Sequence, residues 1–209
     1  GVAEANLYNA GQDCAAGTRV IVKEGIAKEF TAALAKKVAE FKFGAPENDD
    51  HFYGALNSQN QLDRVQGFID RLPSHAEILT GGKAQRLNGG YYFEPTLIAG
   101  LKQDDEMIQT EVFASVQTIQ TFKDEAQAIE MANDVDFGLA ASIWSENHGK
   151  VIRTSQDLDF GQVWVNCHLV QAAEMPNGGF KHSGHGNDLS TEAIEGYTRV
   201  KHIMSLTGR

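Results

Sequence analysis

The chain has 209 residues, 42% apolar and 22% charged, a balance that suits an ordinary globular domain with a core large enough to need no disulfide staples. Its net charge of −10 argues against nucleic acid or an anionic membrane surface as a partner, and no apolar run approaches transmembrane length. Two cysteines, Cys14 and Cys167, are too few for a disulfide framework and lack a metal-type spacing, so a reducing, cytoplasmic setting is expected.

The segment GVAEANLYNAG opens the chain on Gly1 with no signal-like pattern and suggests that the chain is part of something longer. After Cys14, TRVIVK is a β-branched run that predicts a buried strand. AKEFTAALAKKVAEF then places Phe30, Leu34, Val38 and Phe41 on one face, the spacing of an amphipathic helix. FGAPENDDHFYGAL is loop. SQNQLDRVQGFIDRL is a second helix, with Leu62, Val65, Phe68, Ile69 and Leu72 at helical intervals. AEILTGG is a short strand. GGYYFEPTLI is an extended segment in which Pro95 marks an edge or an end.

SVQTIQTF is another strand, and Asp124 is placed to cap the helix DEAQAIEMAND. GLAASIWS is a strand, GKVIRTSQDL a helix, and GQVWVN a strand that ends at Asn166. Strands rich in Val and Ile alternate with helices, the pattern of an α/β fold with a largely parallel sheet. GYTRVKHIMSLT falls outside this rhythm and reads as a terminal strand suited to pairing with a partner chain.

Several residues carry chemical potential, each beside a plainer reading. Cys14 lies between a helix end and the first strand, where loops of α/β proteins carry chemistry; it is either a thiolate nucleophile or a small buried hydrophobe. Cys167 precedes His168, but neighbours on a strand face opposite ways, which favours a structural cysteine. Glu111 is a carboxylate ahead of a strand, able to accept from sugar hydroxyls or simply solvated. Asn166 lies at a strand's carboxyl end, where open α/β sheets bind ligands. HSGH, residues 182–185, has no converging ligand set, and PNGGFKHSGHG lacks the spacing of a phosphate loop. These residues by themselves support an α/β domain with a candidate thiol nucleophile.

Taken in order, NAGQDCAAGTRVIV, EVFASVQTIQTF, ANDVDFGLAASIW, GQVWVN and EMPNGGFKHSGHGND followed by EGYTRVKHIM resemble the aldehyde dehydrogenase superfamily from Leu7 to about Met204. AEMPNGGFKHSG with NAGQDC is most similar to its aminobutyraldehyde and betaine-aldehyde branch. The resemblance implies that Cys14 attacks a small-molecule aldehyde to give a thiohemiacetal and then a thioester, with NAD or NADP as hydride acceptor. It implies that Glu111 bonds the nicotinamide ribose and Phe113 packs by the nicotinamide. It implies that Asn166, Cys167, His168, Glu174 and Asn177 line or flank the substrate tunnel, with Glu174 attracting a cationic aminoaldehyde.

The resemblance further divides the chain into a catalytic domain, residues 1–195, and an oligomerisation strand, residues 196–209, of a homo-oligomer. It implies that the dinucleotide-binding domain is not in this chain, so that the isolated chain is inactive. One departure is local: Ala114-Ser115 stands where the family has Gly-Pro, which alters the backbone options of the turn after Phe113. Two other readings remain open: a cofactor-independent thiol hydrolase or acyltransferase pairing Cys14 with His168 or His182, and a non-catalytic assembly module.

Overall fold

The computed structural model describes residues 1–208. Helix α1 (Val2–Leu7) leads into a 3-10 turn, Tyr8–Gly11. Strand β1 (Arg19–Lys23) and helix α2 (Glu24–Ala39) follow, then α3 (Gln59–Asp70), β2 (Glu77–Thr80), β3 (Ala84–Leu87), β4 (Gly90–Phe93) and β5 (Thr96–Ala99). A one-turn helix α4 (Glu106–Gln109) precedes β6 (Val116–Phe122) and α5 (Glu125–Asn133). The remainder is β7 (Phe137–Gly138), β8 (Ala140–Ile143), α6 (His148–Asp157), β9 (Gln162–Val165), β10 (Phe180–Lys181) and α7 (Ser190–Tyr197).

The main sheet has the order β1-β6-β5-β2. β6 pairs in parallel with both β1 and β5, and only edge strand β2 runs antiparallel. β6 is therefore covered on both faces, and Val116 through Gln120 are all buried. Its polar residues Gln117, Thr118 and Gln120 are buried along with Val116 and Ile119. Its buried amides are partly held: Gln117 Nε2 donates to the carbonyls of Val2 (3.1 Å) and Gly17 (2.6 Å). A second parallel pair, β8 with β9, lies apart from the main sheet.

The helices form where their apolar spacing predicts. α2 turns Leu34 and Val38 inward, and α3 turns Leu62, Val65 and Phe68 inward. Ser58 caps α3 by accepting from Gln61 N at 3.2 Å, and Asp124 caps α5 by accepting from Gln127 N at 3.0 Å. These faces meet Leu97, Ile98, Val116 and Ile119 of the sheet in one core cluster. Each such fully buried aliphatic side chain stabilises the fold by about 1.5–3 kcal/mol.

The extended segment GGYYFEPTLI divides at Pro95: β4 pairs with β3, β5 joins the main sheet, and the chain breaks at Glu94-Pro95 because proline cannot donate to a ladder. The segment from 196, expected as a strand that pairs with a partner chain, forms no strand within the single chain among the described residues. α7 runs through Tyr197, and residues 198–208 are exposed without regular structure; Arg209 lies outside the described residues. A strand needs a neighbour with which to exchange hydrogen bonds, and the neighbour expected for this segment is a partner chain.

Candidate active site

Cys14 sits in the turn between the Tyr8–Gly11 segment and β1, and its side chain is exposed. The approach to it is built from unusual backbone. Asn9 (φ 50°), Ala10 (φ 58°) and Gly11 (φ 71°) are all left-handed, a conformation that favours glycine and asparagine. At Gly11 this freedom combines with a close approach: a Cβ there would stand 2.0 Å from the carbonyl oxygen of Ala114. The Cys14 loop and the turn after Glu111 are thus packed backbone to backbone.

Further ties fix the loop. Gln12 Oε1 accepts from Asn57 N at 2.9 Å. Asp13 Oδ1 accepts from Ala15 N at 2.7 Å. Gly17 N donates to Ala5 O at 2.9 Å. His168 Nε2 reaches the carbonyl of Ala15 at 2.7 Å. A carbonyl only accepts, so Nε2 carries the proton. Burial holds the His168 imidazole below its usual value of 6.5, against the opposing pull of the Ala15 carbonyl and Asp13.

The Glu111–Ser115 turn is held from α3. Gln61 Nε2 donates to the carbonyls of Val112 (3.0 Å) and Phe113 (2.8 Å), and Arg64 donates to those of Val112 (2.6 Å) and Glu111. Phe113 is half-buried at φ 58°. Where the family pattern has Gly-Pro, Ala114 is fully buried and Ser115 Oγ donates to Phe93 O at 3.1 Å. A side-chain hydrogen bond thus anchors this turn in proline's place. The Glu111 carboxylate is exposed and makes no hydrogen bond or ion pair among the described residues, so it is free to accept from a ligand hydroxyl.

Beyond β9 the chain returns to Cys14's loop. Asn166, at φ 54°, accepts from Ser145 N (2.8 Å) and donates to Ser145 O (3.0 Å). Its amide clamps the exit of β8 to the exit of β9. Asn166, Cys167 and His168 border an open cavity of about 390 Å³ with Tyr8, Phe52 and Trp144. Cys14, Glu174 and Asn177 are not among its lining residues. Glu174 is exposed on the following turn. Asn177 accepts from Gln162 Nε2 and pairs its backbone with Asp188.

The site therefore joins the loops before β1 and β6, at their amino ends, to the loop after β9, at its carboxyl end. Sequence reasoning placed Cys14, Glu111 and Asn166 on such loops but did not identify Gly11, Gln61, Arg64, Tyr8 or Trp144. The left-handed glycine in NAGQDC was the one local signal available; the α3 contacts depend on tertiary structure. The pairing of Cys14 with a catalytic histidine gains no support, because His168 directs its N–H to Ala15 O and His182 stands by Asp136, 3.7 Å away. Among the described residues no cluster of three or more His, Cys, Asp or Glu is arranged to hold a metal, and no helix is long and apolar enough to cross a membrane.

Residues 1–203 match the model of the aldehyde dehydrogenase family. An aldehyde dehydrogenase of Emericella nidulans is 40% identical over 198 residues, 94% of this chain and 40% of the relative. The betaine aldehyde dehydrogenase of Bacillus subtilis is 36% identical over 205 residues, 96% of this chain and 42% of the relative. The chain thus spans about two fifths of the length of the curated relatives it matches. Among solved structures, a double mutant of Staphylococcus aureus betaine aldehyde dehydrogenase, in complex with NAD+ and with one cysteine modified by BME, superposes with a TM-score of 0.93 at 34% identity, over 97% of this chain and 42% of that one. The same enzyme without those mutations, in complex with NAD+, gives a TM-score of 0.90 at 34% identity, over 94% of this chain and 40% of that one.

Proposed function

Because the chain belongs to the aldehyde dehydrogenase family, we propose that it supplies the nucleophile of an NAD(P)-dependent aldehyde oxidation, with Cys14 as that nucleophile. The observation that carries this reading is an exposed thiol on a loop shaped by three left-handed residues and locked against the Glu111–Ser115 turn. Such fixing is what a nucleophile needs, since effective molarity depends on a held attack geometry.

In this mechanism the Cys14 thiolate adds to the aldehyde carbonyl, forming a C–S bond and a thiohemiacetal oxyanion. The backbone N–H of Cys14 helps to hold that oxyanion. The nicotinamide cofactor, when bound, accepts the hydride that leaves the thiohemiacetal carbon. Cys14 is then acylated, and water cleaves its thioester to release the carboxylate and the free thiol. The unpartnered Glu111 carboxylate suits a ribose hydroxyl, and half-buried Phe113 beside it offers an aromatic face for a nicotinamide. That a related structure holds NAD+ and a modified cysteine supports both assignments.

The finer reading concerns substrate and assembly. Asn166, Cys167 and His168 line the substrate side through the cavity they share with aromatic Tyr8 and Trp144. Exposed Glu174 supplies negative charge near that loop, which favours a cationic aldehyde such as an aminoaldehyde; Asn177 shapes the loop through Gln162. Residues 1–195 form the catalytic unit, and the segment from 196 pairs with another copy in a homo-oligomer. The 209 residues alone contain no glycine-rich dinucleotide turn after a strand and turn over negligibly.

Steady-state NADH formation tests these points. In the whole protein, Cys14→Ser lowers aldehyde oxidation by roughly a thousandfold or more; retained turnover overturns the assignment. NADH formation by the purified 209-residue chain at the whole protein's rate overturns its inactivity. Light scattering before and after removal of residues 197–209 tests the assembly, and an unchanged mass counts against it.

A further inference from the structure

We propose that His168 is a positioning residue for Cys14: its Nε2–H bond to the Ala15 carbonyl pins the peptide next to the thiol to the exit loop of β9. The proposal rests on the reading of Cys14 as the nucleophile.

The hydrogen bonds around Cys14 show why this contact matters. Within residues 13–16, beside the thiol, the backbone bonds are short-range: Ala16 N to Asp13 O and Thr18 N to Ala16 O, with Ala15 N to Asp13 Oδ1. They shape turns but do not anchor the loop to the rest of the protein. The long-range ties gather at the two ends of the segment: Gln12 binds the 55–57 segment upstream of Cys14, and Gly17 and Thr18 bind Ala5, Gln117 and Thr118 downstream. The His168 bond, at 2.7 Å, falls on the residue immediately after Cys14. It is the tie closest to the thiol and the one that crosses to the β8–β9 layer.

The donor is itself well supported. The Trp164 ring meets the imidazole edge-on, with centroids 4.6 Å apart. Trp164 Nε1 donates to Val170 O at 2.6 Å, which closes the loop behind His168. Asn166, two residues earlier, is doubly bonded to Ser145. Nδ1 is buried with no partner among the described residues. A neutral ring leaves a bare acceptor there, whereas a protonated ring buries an unpaired N–H and a charge, which is far more costly. The geometry therefore selects the neutral Nε2–H tautomer and keeps the donor aimed at Ala15. A rigid base, one defined tautomer and a short bond next to the nucleophile are what a supporting residue of a reactive group requires.

Two variants separate this role from packing. Gln can present an amide N–H near the position of Nε2, whereas the shorter Asn cannot reach Ala15. Hydrogen exchange of the peptide covering residues 9–17 is expected to quicken by roughly five- to tenfold in His168→Asn, the loss of about one hydrogen bond, and to return to within twofold of wild type in His168→Gln. In the whole protein, His168→Asn is expected to lower kcat for aldehyde oxidation more than it raises KM. Equal exchange in His168→Asn and wild type overturns the proposal, as does a folded His168→Gln that exchanges like His168→Asn. Loosening in His168→Asn with a whole protein that oxidises no aldehyde supports the anchoring and sinks the family mechanism instead.

Discussion

Residues 1–122 and residues 123–208 solve the burial problem differently. In the first region α1 and α2 pack on the main sheet, α3 joins the same core, and every buried hydrophobic residue of the described chain except Val151 lies before residue 120. In the second, α5 and α7 bury no residue completely, and Trp144, Val170, Met175, Ile194, Tyr197, Ile203 and Met204 are all exposed. An apolar surface of this extent on a protein chain signals contact with something else. The first region holds the main core and carries Cys14 and Glu111. The second is held locally by side-chain clamps such as Asn166, Asn177 and Lys181, whose Nζ donates to the carbonyls of Asn133 and Val135.

The contrast can be broken most sharply at Gly11. Replacing it with Ala forces a left-handed φ on a residue with a Cβ and drives that Cβ into Ala114 O; the two effects together cost about 3–5 kcal/mol, measured as a lower urea midpoint. Next comes the core itself. Leu97→Ala is expected to cost about 2–5 kcal/mol, while Ile194→Ala in the monomer stays within about 0.5 kcal/mol. Equal losses at the two sites would end the distinction between regions. A smaller effect is expected at the clamp. Asn166→Ala removes two hydrogen bonds at a partly solvated position and costs about 1–2 kcal/mol, seen as faster hydrogen exchange at residues 143–146.

The smallest effect depends on pH. The folded-state value of His168 lies below its unfolded value of 6.5. Below 6.5 the unfolded chain therefore binds a proton that the folded chain resists, and stability falls as pH drops from 6.5 towards the folded value. Above 6.5 the contribution is fully present. Denaturation midpoints at pH 7.5 and 5.5 should diverge more for wild type than for His168→Gln. A parallel fall in both would mean that His168 is not part of the acid response.

Much of the first region was legible in the sequence. Leu62, Val65 and Phe68 announce α3 by spacing, and in the second region Asp124 announces the start of α5 by its side chain. Cys14, Glu111 and Asn166 were legible as residues on loops between elements. What was not legible depends on distant parts meeting. His168 and Ala15 are 153 residues apart, and no periodicity links them. Gln61 and Arg64 are polar residues outside the apolar spacing of α3, yet they hold the Glu111 turn. The terminal segment alternates as a strand does, but pattern alone supplies no edge to pair with, and Ser190–Tyr197 closes into a helix instead.

The two tryptophans of the chain both stand beside the loop that carries Asn166 and His168. Trp164 meets His168 edge-on, and Trp144 borders the cavity. The native emission of the protein is therefore a built-in optical gauge of the region behind the nucleophile. A molecule that fills the cavity alters the surroundings of Trp144, and a change in His168 alters those of Trp164. Occupancy and loop state can be followed by light, without label or turnover.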